Sequence, residues 1–230
     1  MENELSIIAN QYGTDKGTLI PNDGKHHGPR LHFTTIYHDY MKDFRDEEMD
    51  FMEIGIANGT SLSMWKDYFS KAQIHALDIV NSTKYKTDRV HIYKADQTNR
   101  GQLKEAAGNR EYTFIVDDGG HMMGQQQISL GCLFSSVKQG GYYFIEDLHT
   151  SYWPHNGYTD LYGTKLDINE DRSNTTVNVI KDFQETRKFN SPFLSKEENQ
   201  YLTDNIEKCF LFDLPETEYG TNQLALFIKK

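Results

Sequence analysis

The stretch FIVDDGGH, residues 114–121, carries apolar residues into Asp117, Asp118, two glycines and His121. A second stretch, GYYFIEDLH at 141–149, ends in the same way with Glu146, Asp147 and His149. Each reads as a buried strand that stops in a group of ionisable side chains. Carboxylates brought together in a partly dry site raise one another's pKa unless something positive sits among them. A divalent cation is the economical answer. With oxygen donors and no thiols, Mg²⁺ or Mn²⁺ is favoured over Zn²⁺. His121 lies three residues after Asp118. Beside such a cluster it can serve as general base near neutral pH, as a ligand, or simply as a histidine at a helix start.

A third group lies upstream. EIGIANGTS (53–61) places Glu53 at a strand end and Gly55 and Gly59 in the turn that follows. Glycines there permit a tight turn and close approach of a ligand. The spacing is G-x-x-x-G, not the G-x-G-x-x-G of a dinucleotide fingerprint, so a pyrophosphate is disfavoured. Asp78 ends the next strand 23 residues after Gly55, where a carboxylate can accept from ribose hydroxyls. Asp96 and Gln97 end the strand after that. Singly, these residues describe an ordinary turn and solvated strand ends. Together they point to a nucleoside-cofactor pocket.

The elements that must position these groups alternate regularly. Strands are expected at 50–56, 73–79, 90–96, 112–118 and 141–147, with helices at 61–69, 100–108 and 125–137 between them. Such alternation implies right-handed βαβ units and a mostly parallel, Rossmann-like sheet with helices on both faces. In the order 3-2-1-4-5 the fourth and fifth strands are neighbours, about 4.8 Å apart, so their four terminal carboxylates share one edge. Short helices are expected near 3–12 and 33–44, and a further helix near 173–187. Two closing strands at 207–214 and 223–229 complete a seven-stranded sheet with an antiparallel edge. The whole of 1–230 reads as a single domain, with 1–48 as a cap segment and 148–172 as an insertion on the substrate side. That insertion carries Tyr152, Trp153, His155, Tyr158 and Tyr162 among polar residues. Together with His149 these are the candidate acceptor contacts, because aromatic faces stack on sugar or aromatic rings.

Composition narrows the partners. The 230 residues are 37% hydrophobic and 13% aromatic, enough for a real core, and carry a net charge of −10. That charge repels phosphate backbones, so nucleic acid is not an expected partner. Cys132 and Cys209 fit no metal spacing, which suits a reduced compartment. No basic, apolar leader opens MENELSIIANQYGTDK, and no run approaches the length of a membrane span. A cytoplasmic protein is therefore expected, with self-association left open.

The stretches FMEIGIANGTSLSMW, ALDI, ADQ, FIVDDGGH and GGYYFIEDLHTSYW together resemble the class I S-adenosylmethionine-dependent methyltransferases. More closely, they resemble the metal-dependent sugar O-methyltransferases of macrolide and bacterial glycan pathways, over about residues 12–153. The pairing of D-D-G-x-H with I-E-D-L-H is the specific part. The resemblance implies S-adenosylmethionine as cofactor. Glu53, Gly55 and Gly59 would shape its methionine end, Asp78 would hold its ribose, and Asp96 with Gln97 would face its adenine. It implies Asp118, Glu146 and Asp147 as Mg²⁺ ligands, His121 as general base, and Asp117 as support from the cofactor side. Tyr12, Asp15 and Lys16 match an N-terminal motif placed to close the site. The implied acceptor is a sugar hydroxyl on a small molecule or glycan carrier. A catechol-type O-methyltransferase shares the same metal logic. A nicotinamide oxidoreductase is disfavoured by the glycine spacing, and a non-catalytic partner protein would need no carboxylate cluster.

Overall fold

The computed structural model describes residues 2–19, 31–152, 174–217 and 220–230. A seven-stranded sheet of order β3-β2-β1-β4-β5-β7-β6 runs through the molecule. Its strands are β1 Asp50–Ile54, β2 Gln73–Asp78, β3 Val90–Lys94, β4 Tyr112–Asp117, β5 Val137–Ile145, β6 Ile206–Thr217 and β7 Gly220–Lys229. The first five are parallel, whereas β7 pairs antiparallel with both β5 and β6. Seven α-helices surround it among the described residues. They are α1 Glu4–Tyr12, α2 Phe33–Met41, α3 Thr60–Tyr68, α4 Arg100–Ala107, α5 Met123–Leu133, α6 Thr176–Thr186 and α7 Lys196–Asn205. This is the expected doubly wound sheet with its antiparallel edge. Among the described residues no helix is long and apolar enough to cross a membrane.

Local chemistry explains the helix ends. Asn3 accepts from Ser6 N to start α1, and Gly13 ends it in the left-handed region at φ 69°. Ser195 and Glu198 form a reciprocal capping box on α7.

The two-residue period of the strands decides which site residue faces which helices. Phe51, Phe114, Val116 and Phe144 pack on one face with Trp65 of α3, Tyr37 of α2 and Leu5 of α1. Met52, Ile115, Tyr143 and Ile145 pack on the other with Leu130 and Leu133 of α5 and Ile180 of α6. By the same alternation Glu53 and Glu146 sit under the N-terminal helices, and Asp117 sits under α5. Register sets the edge: Ile54 lies opposite Asp117, and Asp117 opposite Ile145. Gly55, Asp118 and Glu146 therefore leave the sheet side by side.

Element ends shift by a few residues from the sequence reading, as where the helix expected at 125–137 is Met123–Leu133, and two differences are larger. β5 begins at Val137, not 141, because Gly140 (φ 72°) and Gly141 lie in an irregularity of the β4–β5 pairing instead of ending a loop. α7 was not expected from sequence. Leu202 is its one fully buried side chain, so its apolar stripe is too thin to read.

Candidate active site

A cavity of about 470 Å³ opens at the carboxyl ends of the parallel strands, where ligands bind in open α/β sheets. Gly55, Asp78, Asp96, Gln97, Asp118, His121 and Asp147 line it, and so do Gly13–Lys16 from the segment after α1. Of the site residues read from sequence, the fold brings these together although they are spread along the chain from Gly55 to Asp147.

The first wall is the β1 turn. Gly55 has φ 92°, and a Cβ there would meet the backbone oxygen of Asp118 at 1.9 Å. Gly59 has φ 74° and lies against the Tyr85 ring. Both glycines are thus required by backbone shape and by space. Gly55→Ala is expected to destabilise the fold by at least about 2 kcal/mol, since strain and overpacking add. Thermal unfolding checks this, and an unchanged midpoint would contradict the packing described. Asp78 accepts from Ile56 N and from Val80 N, each at 2.8 Å, so it holds the turn to the end of β2. Asp96 accepts from Thr98 N at 2.8 Å. The Gln97 carboxamide turns inward, donating to Asp117 at 2.6 Å and accepting from Gly120 N at 2.9 Å.

Asp117 does not reach the cavity. It is buried and accepts from Gln97, Ser129 and, at 3.3 Å, Tyr143. Burial pushes its carboxyl up to about 6. Its position makes it the anchor of the DGGH turn, joining β4 to α5.

The second wall is acidic. Asp118, His121 and Asp147 each offer one ligand atom, and these atoms lie within 4.8 Å of one another. His121 Nε2 stands 3.5 Å from Asp147 Oδ2. Three of the five described non-glycine residues with positive φ line the cavity, Ala57 (43°) in the first wall and His121 (59°) and Asp147 (55°) in the second. Such backbone strain persists only where surrounding contacts hold it, and it concentrates at functional sites. The contacts are present. Thr150 Oγ1 donates to His121 O at 2.8 Å, and Gln126 Nε2 to Glu146 O at 3.1 Å. His149 is buried beside this wall, with Nδ1 3.6 Å from Asp147 Oδ1, beyond hydrogen-bond length.

Glu146 does not join this trio. It is fully buried and accepts from Lys16 Nζ at 2.7 Å and from Tyr37 OH at 2.5 Å. Lys16 also donates to Asp118 and lies 3.9 Å from Glu53. Glu53 in turn accepts from Trp65 Nε1 and Ser61 Oγ and does not line the cavity. The positive charge that the carboxylates demand is thus partly internal. Burial alone would lower the Lys16 ammonium, but Asp118, Glu146 and Glu53 hold it well above its ordinary value. Nothing in the spacing reveals this, because Lys16 lies 102 and 130 residues from its two partners.

One ammonium does not balance four carboxylates. Burial still raises Glu53 to about 7 and Asp118 to about 6, and it lifts Glu146, with the Asp118 charge, well above the usual carboxylate range. Burial would raise Asp147 too, but His121 and His149 facing it hold it below its ordinary value. Asp147 Oδ1 is buried and has no hydrogen-bond partner among the described residues. Excess negative charge, an oxygen–imidazole donor set and a buried orphan oxygen all fit a divalent cation.

Tyr12 donates to Asp67 at the surface between α1 and α3 and takes no part in the cavity wall. Trp153, His155, Tyr158 and Tyr162 lie outside the described residues, as does most of the expected insertion.

No family model matches the chain. Among curated proteins, it is 34% identical over 158 residues to 8-demethyl-8-alpha-L-rhamnosyl tetracenomycin-C 2'-O-methyltransferase of Streptomyces olivaceus, covering 65% of this chain and 39% of the relative. It is 37% identical over 133 residues to demethylmacrocin O-methyltransferase of Streptomyces fradiae, covering 54% of this chain and 34% of that one. Among solved structures it superimposes on the MycE methyltransferase of the mycinamycin pathway, solved with Mg, S-adenosylhomocysteine (SAH) and mycinamycin VI. The TM-score is 0.73 at 25% identity, over 99% of this chain and 55% of that one. The chain thus spans less than two fifths of the length of these curated relatives and about half of the solved one.

Proposed function

We propose that this chain, which has the class I methyltransferase fold and is homologous to sugar O-methyltransferases, transfers a methyl group from S-adenosylmethionine to a sugar hydroxyl with a divalent cation. The observation that carries the reading is the Asp118–His121–Asp147 trio on the wall of the strand-end cavity. Relatives that methylate sugars on antibiotic scaffolds support the acceptor class. The net charge of −10 argues against a nucleic-acid acceptor.

Asp118 and Asp147 would hold Mg²⁺ or Mn²⁺, with Glu146 behind them. The cation would supply Lewis acidity and fix the direction of neighbouring acceptor hydroxyls. S-adenosylmethionine would supply an electrophilic methyl group. Asp78, already bonded to Ile56 N and Val80 N, retains lone pairs for the ribose hydroxyls. Asp96 and Gln97 close the adenine side of the cavity. Gly55 lets the chain approach the methionine end closely. His121 would take the hydroxyl proton as oxygen attacks, from a position fixed by the strained turn and by Thr150. The rest of the wall excludes water and aligns oxygen with the methyl carbon.

Calorimetry with SAH tests the cofactor half. Asp78→Ala is expected to weaken binding by about tenfold or more, the scale of hydrogen bonds to a charged group. NAD binding more tightly than either sulfur ligand would overturn this reading.

A further inference from the structure

His121 and Asp147 follow different strands, β4 and β5, and both hold the left-handed backbone conformation, at φ 59° and 55°. Thr150 joins them. It lies in the short turn Leu148–Tyr152 after β5, and its Oγ1 reaches the carbonyl oxygens of both, His121 O at 2.8 Å and Asp147 O at 3.2 Å. Its N–H also points to Asp147 O, at 3.4 Å. The next residue, Ser151, donates from Oγ to Met123 Sδ at 3.4 Å and accepts from Val177 N at 3.2 Å. Thr176 N donates to the same sulfur at 3.2 Å. Thr150, Ser151 and Met123 are all buried. Two consecutive hydroxyls thus hold residues 121 and 123, on either side of the entry to α5, and the start of α6 holds the turn from behind. Backbone strain and a single hydrogen bond are similar in size, so a residue in the left-handed region depends on each contact that keeps it there.

We propose that Thr150 is a positioning residue for methyl transfer: its hydroxyl, shared between His121 O and Asp147 O, fixes the imidazole at one distance from the carboxylate wall, and Ser151 holds the hydroxyl in place through Met123 and Val177. This deepens the functional reading above and rests on it. Thr150 does not line the cavity, so it acts through the backbone and touches neither cofactor nor acceptor. What it sets is spacing. His121 Nε2 stands 3.5 Å from Asp147 Oδ2, beside the carboxylate but beyond hydrogen-bond length. A general base has to meet its proton within a hydrogen bond, and an error of about 1 Å is enough to slow the step severely. The bridge is local to the two residues that need a common reference. One belongs to the β4 turn and the other to the end of β5, and no backbone ladder continues past those ends to relate them.

The test compares the full chain with Thr150→Val, which keeps the shape and removes the hydroxyl, and Thr150→Ser, which keeps the hydroxyl. The first readout is the imidazole nuclear magnetic resonance signal of His121 without metal, cofactor or acceptor, assigned by its loss in His121→Ala. The second is kcat with S-adenosylmethionine, saturating Mg²⁺ and a methyl rhamnoside, chosen because a relative is named for a rhamnosyl acceptor. In Thr150→Val the His121 signal should shift and broaden, and kcat should fall about 10- to 100-fold, the scale of a small misplacement. Mn²⁺ and SAH should bind within a few-fold of the unaltered chain. Thr150→Ser should restore both the signal and the rate. An unchanged His121 signal in Thr150→Val, or a rate that Thr150→Ser does not recover, overturns the proposal. A loss of Mn²⁺ affinity as large as the loss of kcat also overturns it, since Thr150 would then be a general brace of the wall. Should Thr150→Val lose its fold by circular dichroism, Thr150→Ala, which needs no extra room, decides by the same criteria. If the unaltered chain methylates no glycoside while the His121 signal still responds to Thr150→Val, the functional reading has failed and the positioning of His121 has not.

Discussion

Asp118→Ala and Asp147→Ala are each expected to abolish methyl transfer and to weaken Mn²⁺ binding by more than about 100-fold. Replacing groups that merely orient a metal ligand already costs about 10–100-fold, and these two carboxylates are the acidic members of the only candidate cluster among the described residues. The fold should survive both changes. In Asp118→Ala, Lys16 keeps Glu146 at 2.7 Å, so the buried ammonium is not stranded. In Asp147→Ala, one of the two oxygens removed, Oδ1, already lacks a hydrogen-bond partner among the described residues, and the other stands 3.5 Å from His121 Nε2. Mn²⁺ titration together with far-ultraviolet circular dichroism checks the pair. Folded variants that bind Mn²⁺ normally would show that the trio is an ordinary acidic wall.

His121→Ala should lower kcat by about 10²–10⁴-fold, the usual contribution of a positioned general base. Mn²⁺ and SAH affinity should change only a few-fold, because the two carboxylates and the Asp78 wall remain. This split separates the two roles that the sequence leaves open. A base alters the chemical step alone, whereas a ligand alters metal affinity as well. The strained backbone at φ 59° adds a second expectation. His121→Gly relieves that strain and removes the imidazole, so it should be more thermally stable than His121→Ala while equally slow. Near-normal turnover in both variants would assign the proton transfer elsewhere.

The sheet was legible because its strands are short apolar runs separated by helical periods, and because the order of a doubly wound sheet follows from that alternation. The shared edge was legible for the same reason, since Asp118 and the pair Glu146–Asp147 each follow directly on a buried strand. What escaped was whatever depends on side-chain direction across long separations. The demand for positive charge was read from Asp117, Asp118, Glu146 and Asp147, but Asp117 turns under α5, and Lys16, whose partners lie more than 100 residues away, answers part of the demand of the rest. Gln97 was expected at the adenine. It does line the cavity, yet its carboxamide is committed to Asp117 and Gly120 N, a link between β3 and β4 that no local pattern encodes. Glu53 reads as a cofactor contact from the turn motif, but strand alternation turns it under α3, toward Ser61 and Trp65. The helix α7 left one sign, the S-x-x-E capping box at Ser195 and Glu198, ahead of a segment too polar to show a stripe.

The central claim is methyl transfer to a sugar hydroxyl that has a neighbouring hydroxyl, dependent on a divalent cation. The direct measurement uses labelled S-adenosylmethionine with two matched glycosides, one bearing the vicinal diol and one with the neighbouring hydroxyl removed, each assayed with Mg²⁺ and with EDTA. Label should pass only to the diol glycoside and only with the metal, while removal of distant hydroxyls mainly raises KM. Transfer at full rate in EDTA, or to catechols with none to any sugar, would contradict the account.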